Sequence, residues 1–185
     1  MAQAIAPPRL VPERGYWLAE DLEDLPEGPR YEIVDGALLV SPSPIPRHQR
    51  VAARIAAQLD AQVGADRWVL EESNVQLGRS VRRPDAVVVE TAHFDADVTP
   101  LPAVAVVAAF EVESPSSVSD DRVLKPYQYA TAGIPVYVRV ELTPSLHLVA
   151  HVLRDGTYEV VADATTGVVT LPAPLAVTID IDALL

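Results

Sequence analysis

The run from Ala103 to Glu113, AVAVVAAFEVE, constrains this chain more than any other segment. It is apolar almost throughout and β-branched at Val104, Val106, Val107 and Val112. A strand with one face in water alternates polar and apolar residues, whereas a near-continuous apolar run marks a strand buried on both faces. The segment therefore predicts a central strand, and with it a sheet covered on both sides. The stretch from Leu101 to Phe110 is too short to cross a bilayer, which takes about 20 apolar residues.

Composition agrees with such a core. A chain of 185 residues can form one domain around a sizeable interior. A hydrophobic content of 49% excludes a disordered chain. Alanine and valine dominate and aromatics are only 5%, so small side chains are expected to fill the interior. The absence of cysteine excludes disulfides and thiolate metal sites. The first residues lack the charged start and apolar run of a signal peptide. The expectation is a soluble cytoplasmic protein with no membrane partner.

The remaining punctuation sets the element order. Residues 1–16 are proline-rich at the start and read as a flexible lead-in, with one domain over residues 17–185. Trp17 to Leu25 has apolar residues at helical spacing and is closed by Pro26 and Gly28. YEIVDGALLV places Asp35-Gly36 between two β-prone runs, a strong hairpin signal. RHQRVAARIAAQLDAQVG follows a stiff SPSPIP turn and carries Val51, Ile55, Leu59 and Val63 on one helical stripe. Strands are expected over Trp68 to Leu77 and Pro84 to Glu90, then a mobile acidic linker from Thr91 to Pro102. After the central strand, Ser and Asp residues cap a helix that ends at Gly133, with Pro126 expected to kink it or mark a second start. From Pro135 onward the chain reads as β, with a second Asp-Gly turn at Asp155-Gly156. The sum is an α/β fold with a mixed β-sheet flanked by helices.

Within that frame the chemistry centres on Lys125, the only lysine beside 13 arginines. Lysine is a compact amine whose pKa responds to its surroundings, which arginine's does not. Asp85 opens one strand and Glu111 closes a later one. If those strands pair antiparallel, the two carboxylates meet at one end of the sheet. Hard cations such as Mg bind through one or two carboxylates plus water and phosphate oxygens. Glu113 lies two residues beyond Glu111 and so on the same strand face. Three acids crowded together call for a cation, and Lys125 on the next helix is placed to reach back. The net charge of -12 argues against nonspecific coating of nucleic acid. Local arginine clusters remain, at Arg47, Arg50 and Arg54 and at Arg79, Arg82 and Arg83. His147 and His151 are four apart in an expected strand with no third ligand, and read as structural.

The segments YEIVDG, PRHQR, RRPDAVVVE, FEVESPSS and DRVLKPYQYATAGIPVYVRVE, in that order, resemble the Uma-two family of the restriction-endonuclease-like, or PD-(D/E)XK, superfamily. The resemblance implies a restriction-endonuclease-like mixed sheet with a metal site made by Asp85 and Glu111. The superfamily's usual pattern places a lysine two residues after the second acid, where this chain has Glu113. Some members carry that lysine on the following helix, which Lys125 fits. The resemblance also points to Glu32 as a further acid and to His48 at the start of the second helix. The expected activity is divalent-metal-dependent cleavage of phosphodiesters in nucleic acid, DNA in the first instance, with Mg or Mn as cofactor. Asp85 and Glu111 would hold the metal, Lys125 would steady water or phosphate charge, and Glu113 would ligate a second metal or restrain Lys125. Arg47, His48, Arg50, Arg82 and Arg83 would contact the nucleic acid, and a homodimer would suit two strands. The competing reading is a catalytically inactive nuclease-fold module for binding or assembly.

Overall fold

The computed structural model describes residues 12–114 and 117–185. Most of the expected lead-in, residues 1–11, lies outside the described residues. Trp17 is buried, and a short 3-10 turn, Ala19–Asp24, follows it where the sequence spacing predicts a helix. Asp21 caps its start by accepting the Leu18 N–H at 2.7 Å.

The expected hairpin forms from β1 (Arg30–Val34) and β2 (Ala37–Ser41). Asp35 and Gly36 both take positive φ, 48° and 85°, as a tight two-residue reversal requires. Helix α1 (Pro46–Asp60) comes next and buries Val51, Ile55 and Leu59. It starts with proline in its first turn, where the missing N–H costs nothing.

The segment read as one strand, Trp68 to Leu77, is divided between two sheets. β3 (Arg67–Glu71) and β4 (Val75–Leu77) are separated at Glu72, whose φ of 46° breaks the extended chain. β5 (Ser80–Arg82) returns antiparallel to β4, and β6 (Ala86–Glu90) follows. The segment from Thr91 contains a 3-10 turn, Thr91–His93, and ends in β7 (Leu101–Pro102), which pairs with β4 and buries Leu101. The predicted central strand is β8 (Val106–Val112), every residue of which is buried.

A π-helical turn, Asp120–Leu124, leads into α2 (Lys125–Thr131). Pro126 thus sits directly after the π-helical turn, and the helix runs on through both, so the proline is taken up by a π insertion and not by a second start. β9 (Val136–Glu141), β10 (His147–Arg154) and β11 (Thr157–Ala164) complete one sheet. β12 (Val168–Thr170) and β13 (Thr178–Asp180) pair separately.

The main sheet has the order β11-β10-β9-β8-β6-β3, with β8 between antiparallel β6 and parallel β9. Its two faces read directly from strand alternation. Val88, Ala108, Phe110 and Val138 pack toward α1, whereas Val87, Val89, Ala109 and Tyr137 pack with Tyr129 of α2 and Val75 of β4. The second sheet, β2-β1-β5-β4-β7, lies on the α2 side.

Arg82 locks the second sheet to the helix. Its guanidinium is fully buried, donates to both Asp120 oxygens at 2.9 and 2.8 Å and to Gln128 at 2.7 Å, and stands 3.5 Å from Glu32. The nucleic-acid contact expected at Arg82 does not fit this position, because the side chain has no surface to offer. Breaking a buried pair by removing one partner strands the other charges. Arg82→Met is expected to lower unfolding free energy by about 3–5 kcal/mol in urea denaturation.

Candidate active site

Asp85, Glu111, Lys125, Glu32 and His48 all line one cavity of about 620 Å³. The sheet brings the two central acids together as the antiparallel reading requires. Ala86 pairs with Phe110, and the Asp85 N–H donates to the Phe110 carbonyl at 3.1 Å. Alternation sends Glu111 to the same face as Ala109, under α2. Asp85 Oδ2 then accepts the Val112 N–H at 2.7 Å, which pins its carboxylate to the end of β8.

Lys125 is buried, at 5% exposure, with its ammonium between Glu111 at 2.8 Å and Asp121 at 2.7 Å. The Tyr129 hydroxyl donates to the other Glu111 oxygen at 2.6 Å. Tyr137 donates to the Asp121 carbonyl at 2.6 Å, fixing the helical turn from below. Burial works against the Lys125 charge, but Glu111 and Asp121 raise its pKa above the ordinary lysine value. The side chain is therefore a fixed cation and not a base. Burial lifts Glu111 to about 7, opposed by Lys125 and reinforced by the Asp85 and Asp121 charges.

Sequence reasoning missed Arg30. Its guanidinium bonds Asp85 Oδ1 at 2.7 Å, donates to the Arg83 carbonyl and lies 4.0 Å from Glu111. Burial would lower the Arg30 pKa, yet the Asp85 and Glu111 charges raise it. In return, burial alone would raise Asp85, but His48 and Arg30 hold it well below the usual carboxylate range. His48 Nε2 is 3.4 Å from Asp85, and its buried Nδ1 has no hydrogen-bond partner among the described residues. Burial pushes the His48 pKa down, and Asp85 outweighs it to give a net rise. The available signal for Arg30 is its spacing, two residues before Glu32 on the same face of β1. Asp121 and Tyr129 were also missed, though each is four residues from Lys125, the spacing at which helical side chains meet.

The other expected residues divide. Glu32 accepts the Arg83 N–H at 2.8 Å and faces Arg82, so it braces the wall of the cavity. Glu113 does not line the cavity. Its carboxylate is gripped by Arg122 at 2.7 and 2.9 Å, with Arg139 at 3.9 Å, well engaged away from Lys125. Arg47 and Arg50 are exposed on α1, and partly exposed Arg83 pairs with Glu72 at 3.0 Å. His147 bonds Asp163 and His151 stacks against Tyr137, both apart from the cavity.

The two acids are the donor type that a small hard cation takes, and each of their four oxygens already meets a donor from the protein. Asp85 and Glu111 supply carboxylate oxygens, and Mg requires only one or two of these when water and phosphate complete its shell. Among the described residues no cluster of three or more acid or histidine side chains forms a full ligand cage.

The Uma2 family, described as "Putative restriction endonuclease", matches residues 19–182. The chain belongs to the Uma2 family. Its fold resembles the crystal structure of "a putative nuclease belonging to DUF820" from Anabaena variabilis ATCC 29413, with a TM-score of 0.72 and 16% identity over 91% of this chain and 97% of that one. No curated protein matches the chain. The nuclease-like mixed sheet expected from the sequence is thus the fold observed. Among the described residues, no helix of this Uma2 protein is long and apolar enough to cross a membrane.

The raised Glu111 pKa has a signed consequence. A carboxyl whose folded pKa lies above the ordinary 4.5 contributes stability fully below 4.5 and loses it as pH rises through about 7. In metal-free protein, the stability of wild type relative to Glu111→Gln is expected to fall across that window. Urea denaturation at a series of pH values measures it, and a difference that stays flat or grows with pH contradicts the assignment.

Proposed function

We propose that the protein is a divalent-metal-dependent nuclease that hydrolyses phosphodiester bonds, with DNA as the expected substrate. The observation that carries this reading is the convergence of Asp85, Glu111 and Lys125 in one cavity. Membership of a family described as "Putative restriction endonuclease" supports it.

Asp85 and Glu111 are the residues that would hold Mg or Mn. The bound ion would polarise a phosphate oxygen and lower the pKa of an attacking water. The chain's own residues do the positioning. Asp85 remains ionised because Arg30, His48 and the Val112 N–H all favour its charged form. Lys125 keeps Glu111 aimed into the cavity and supplies a fixed positive charge beside the developing phosphate negative charge. Tyr129 restricts the second Glu111 oxygen. Arg47 and Arg50, exposed on α1, would take phosphates that flank the cavity.

One observation favours a second reading, a nuclease-fold binding or assembly module without catalysis. Arg30 already neutralises Asp85 and lies close to Glu111, so the two acids are partly balanced by protein charge alone. Metal binding separates the two readings.

Asp85→Asn preserves shape and removes the charge, and because it also strands buried Arg30 and His48, its thermal midpoint is measured alongside. Wild type is expected to nick plasmid DNA with Mg or Mn, and Asp85→Asn to lose at least about 100-fold in rate. Calorimetric Mn titration should show one saturable event in wild type that Asp85→Asn weakens. An absence of both nicking and Mn binding in wild type would leave the module reading in place.

A further inference from the structure

We infer that the cavity receives an unpaired strand, admitting one nucleotide between apolar walls, in preference to intact duplex; this deepens and rests on the nuclease reading above. The first argument is shape. Duplex DNA is commonly read by convex protein elements that enter a groove about 12 Å wide. Here the reactive groups lie at the bottom of a concavity in the protein, with Asp85 and Glu111 almost wholly buried. A volume of about 620 Å³ falls in the range of pockets that enclose small molecules, roughly 300–1,000 Å³. A single nucleotide unit can enter such a space, whereas a base-paired one brings its partner strand against the walls.

The second argument is the chemistry of those walls. Leu39, Val40 and Ile45 line one side, and Leu124 and Leu142 also line the cavity. Val40 is 54% and Ile45 57% exposed, although both are apolar. β2 is an edge strand with four successive apolar residues, Ala37 to Val40, so its exposed side chains are not the outer half of an ordinary alternating strand. Apolar surface around a polar floor suits a nucleobase, whose flat faces are exposed only when it is unpaired and unstacked.

Charge makes the third argument. Exposed Arg47 and Arg50 begin two residues beyond Ile45, where phosphates on either side of the inserted unit would emerge. The net charge of -12 offers little to a long duplex track, whose binding scales with the number of phosphates neutralised. A short single-stranded contact needs only a few such partners.

The test is fluorescence anisotropy of labelled oligonucleotides with the full chain in calcium, which replaces Mg to slow hydrolysis. The probes are a single strand, the blunt duplex of the same sequence, and that duplex with an unpaired overhang. The single strand and the overhang are expected to bind at least about tenfold tighter than the blunt duplex. Val40→Asp, a surface change, should erase about tenfold of that preference without lowering the thermal midpoint. Leu39→Ser, which adds no charge, should weaken single-strand binding in the same direction.

Blunt duplex binding as tight as single strand overturns the inference, and so does a preference unchanged by both variants. A chain that sediments as a dimer which Val40→Asp dissociates, with no strand preference, also overturns it, because the apolar walls then belong to a second copy. In each case Asp85-dependent cleavage of the labelled single strand and of plasmid with Mn shows whether the nuclease reading still stands. No binding and no nicking would remove both.

Discussion

The buried ammonium of Lys125 is the constraint on which the site depends. A lysine taken out of water must be paired on all sides, because an isolated buried charge costs far more than a domain's net stability allows. Glu111 comes from the end of β8 and Asp121 from one helical turn before Lys125, so a single cation ties strand and helix together. The backbone is irregular where this happens. In an uninterrupted α-helix, Pro126 would leave the Arg122 carbonyl without its partner and press its ring against that turn. The chain instead takes a π-helical turn in which the Lys125 N–H reaches the Asp120 carbonyl. Insertions of this kind recur at functional sites because they re-aim side chains within a helix. Here the turn accommodates a proline and sets Asp121, Lys125 and Tyr129 against one carboxylate.

The pairing logic extends to each cation near the cavity, and it separates the two acids. Arg30 answers Asp85, Arg82 answers Glu32 and Asp120, and Lys125 answers Glu111 and Asp121. Asp85 has a guanidinium, an imidazole and a backbone N–H, and stays ionised. Glu111 is fully enclosed and shares its one lysine with Asp121, so burial lifts it toward neutrality. Two carboxyl groups a strand apart therefore differ in their readiness to carry charge, the usual mark of divided roles within a site.

Much of this arrangement was legible in sequence because it rests on local rules. The valine-rich run of β8, the Asp35-Gly36 reversal and the apolar stripe of α1 each follow from periodicity or turn chemistry, and each forms close to its expected place. What was not legible depends on contacts across the chain. Arg82 and Arg83 are identical neighbours, yet one is sealed against Asp120 and the other reaches Glu72 at the surface. Alternation says that they point to opposite faces but not which face is covered. Arg30 is paired with an acid 55 positions away, beyond any local pattern. The segment from Trp68 to Leu77 was read as one strand because nothing in Glu72 announces the left-handed turn that sends β4 into the other sheet.

The departure at Glu113 has a physical explanation in the same terms. The pattern that the sequence resembles would put a lysine at that position, two residues beyond the second acid. In this chain the place is bounded by Arg122 and Arg139, and the Glu113 carboxylate binds the first at hydrogen-bond distance. A lysine there would face two guanidinium groups, with only Glu141 nearby to offset three positive charges. Lys125 reaches Glu111 from the opposite side, from α2 and not from the strand. Position 113, bounded by Arg122 and Arg139, thus suits a carboxylate, and the cation beside Glu111 comes from α2.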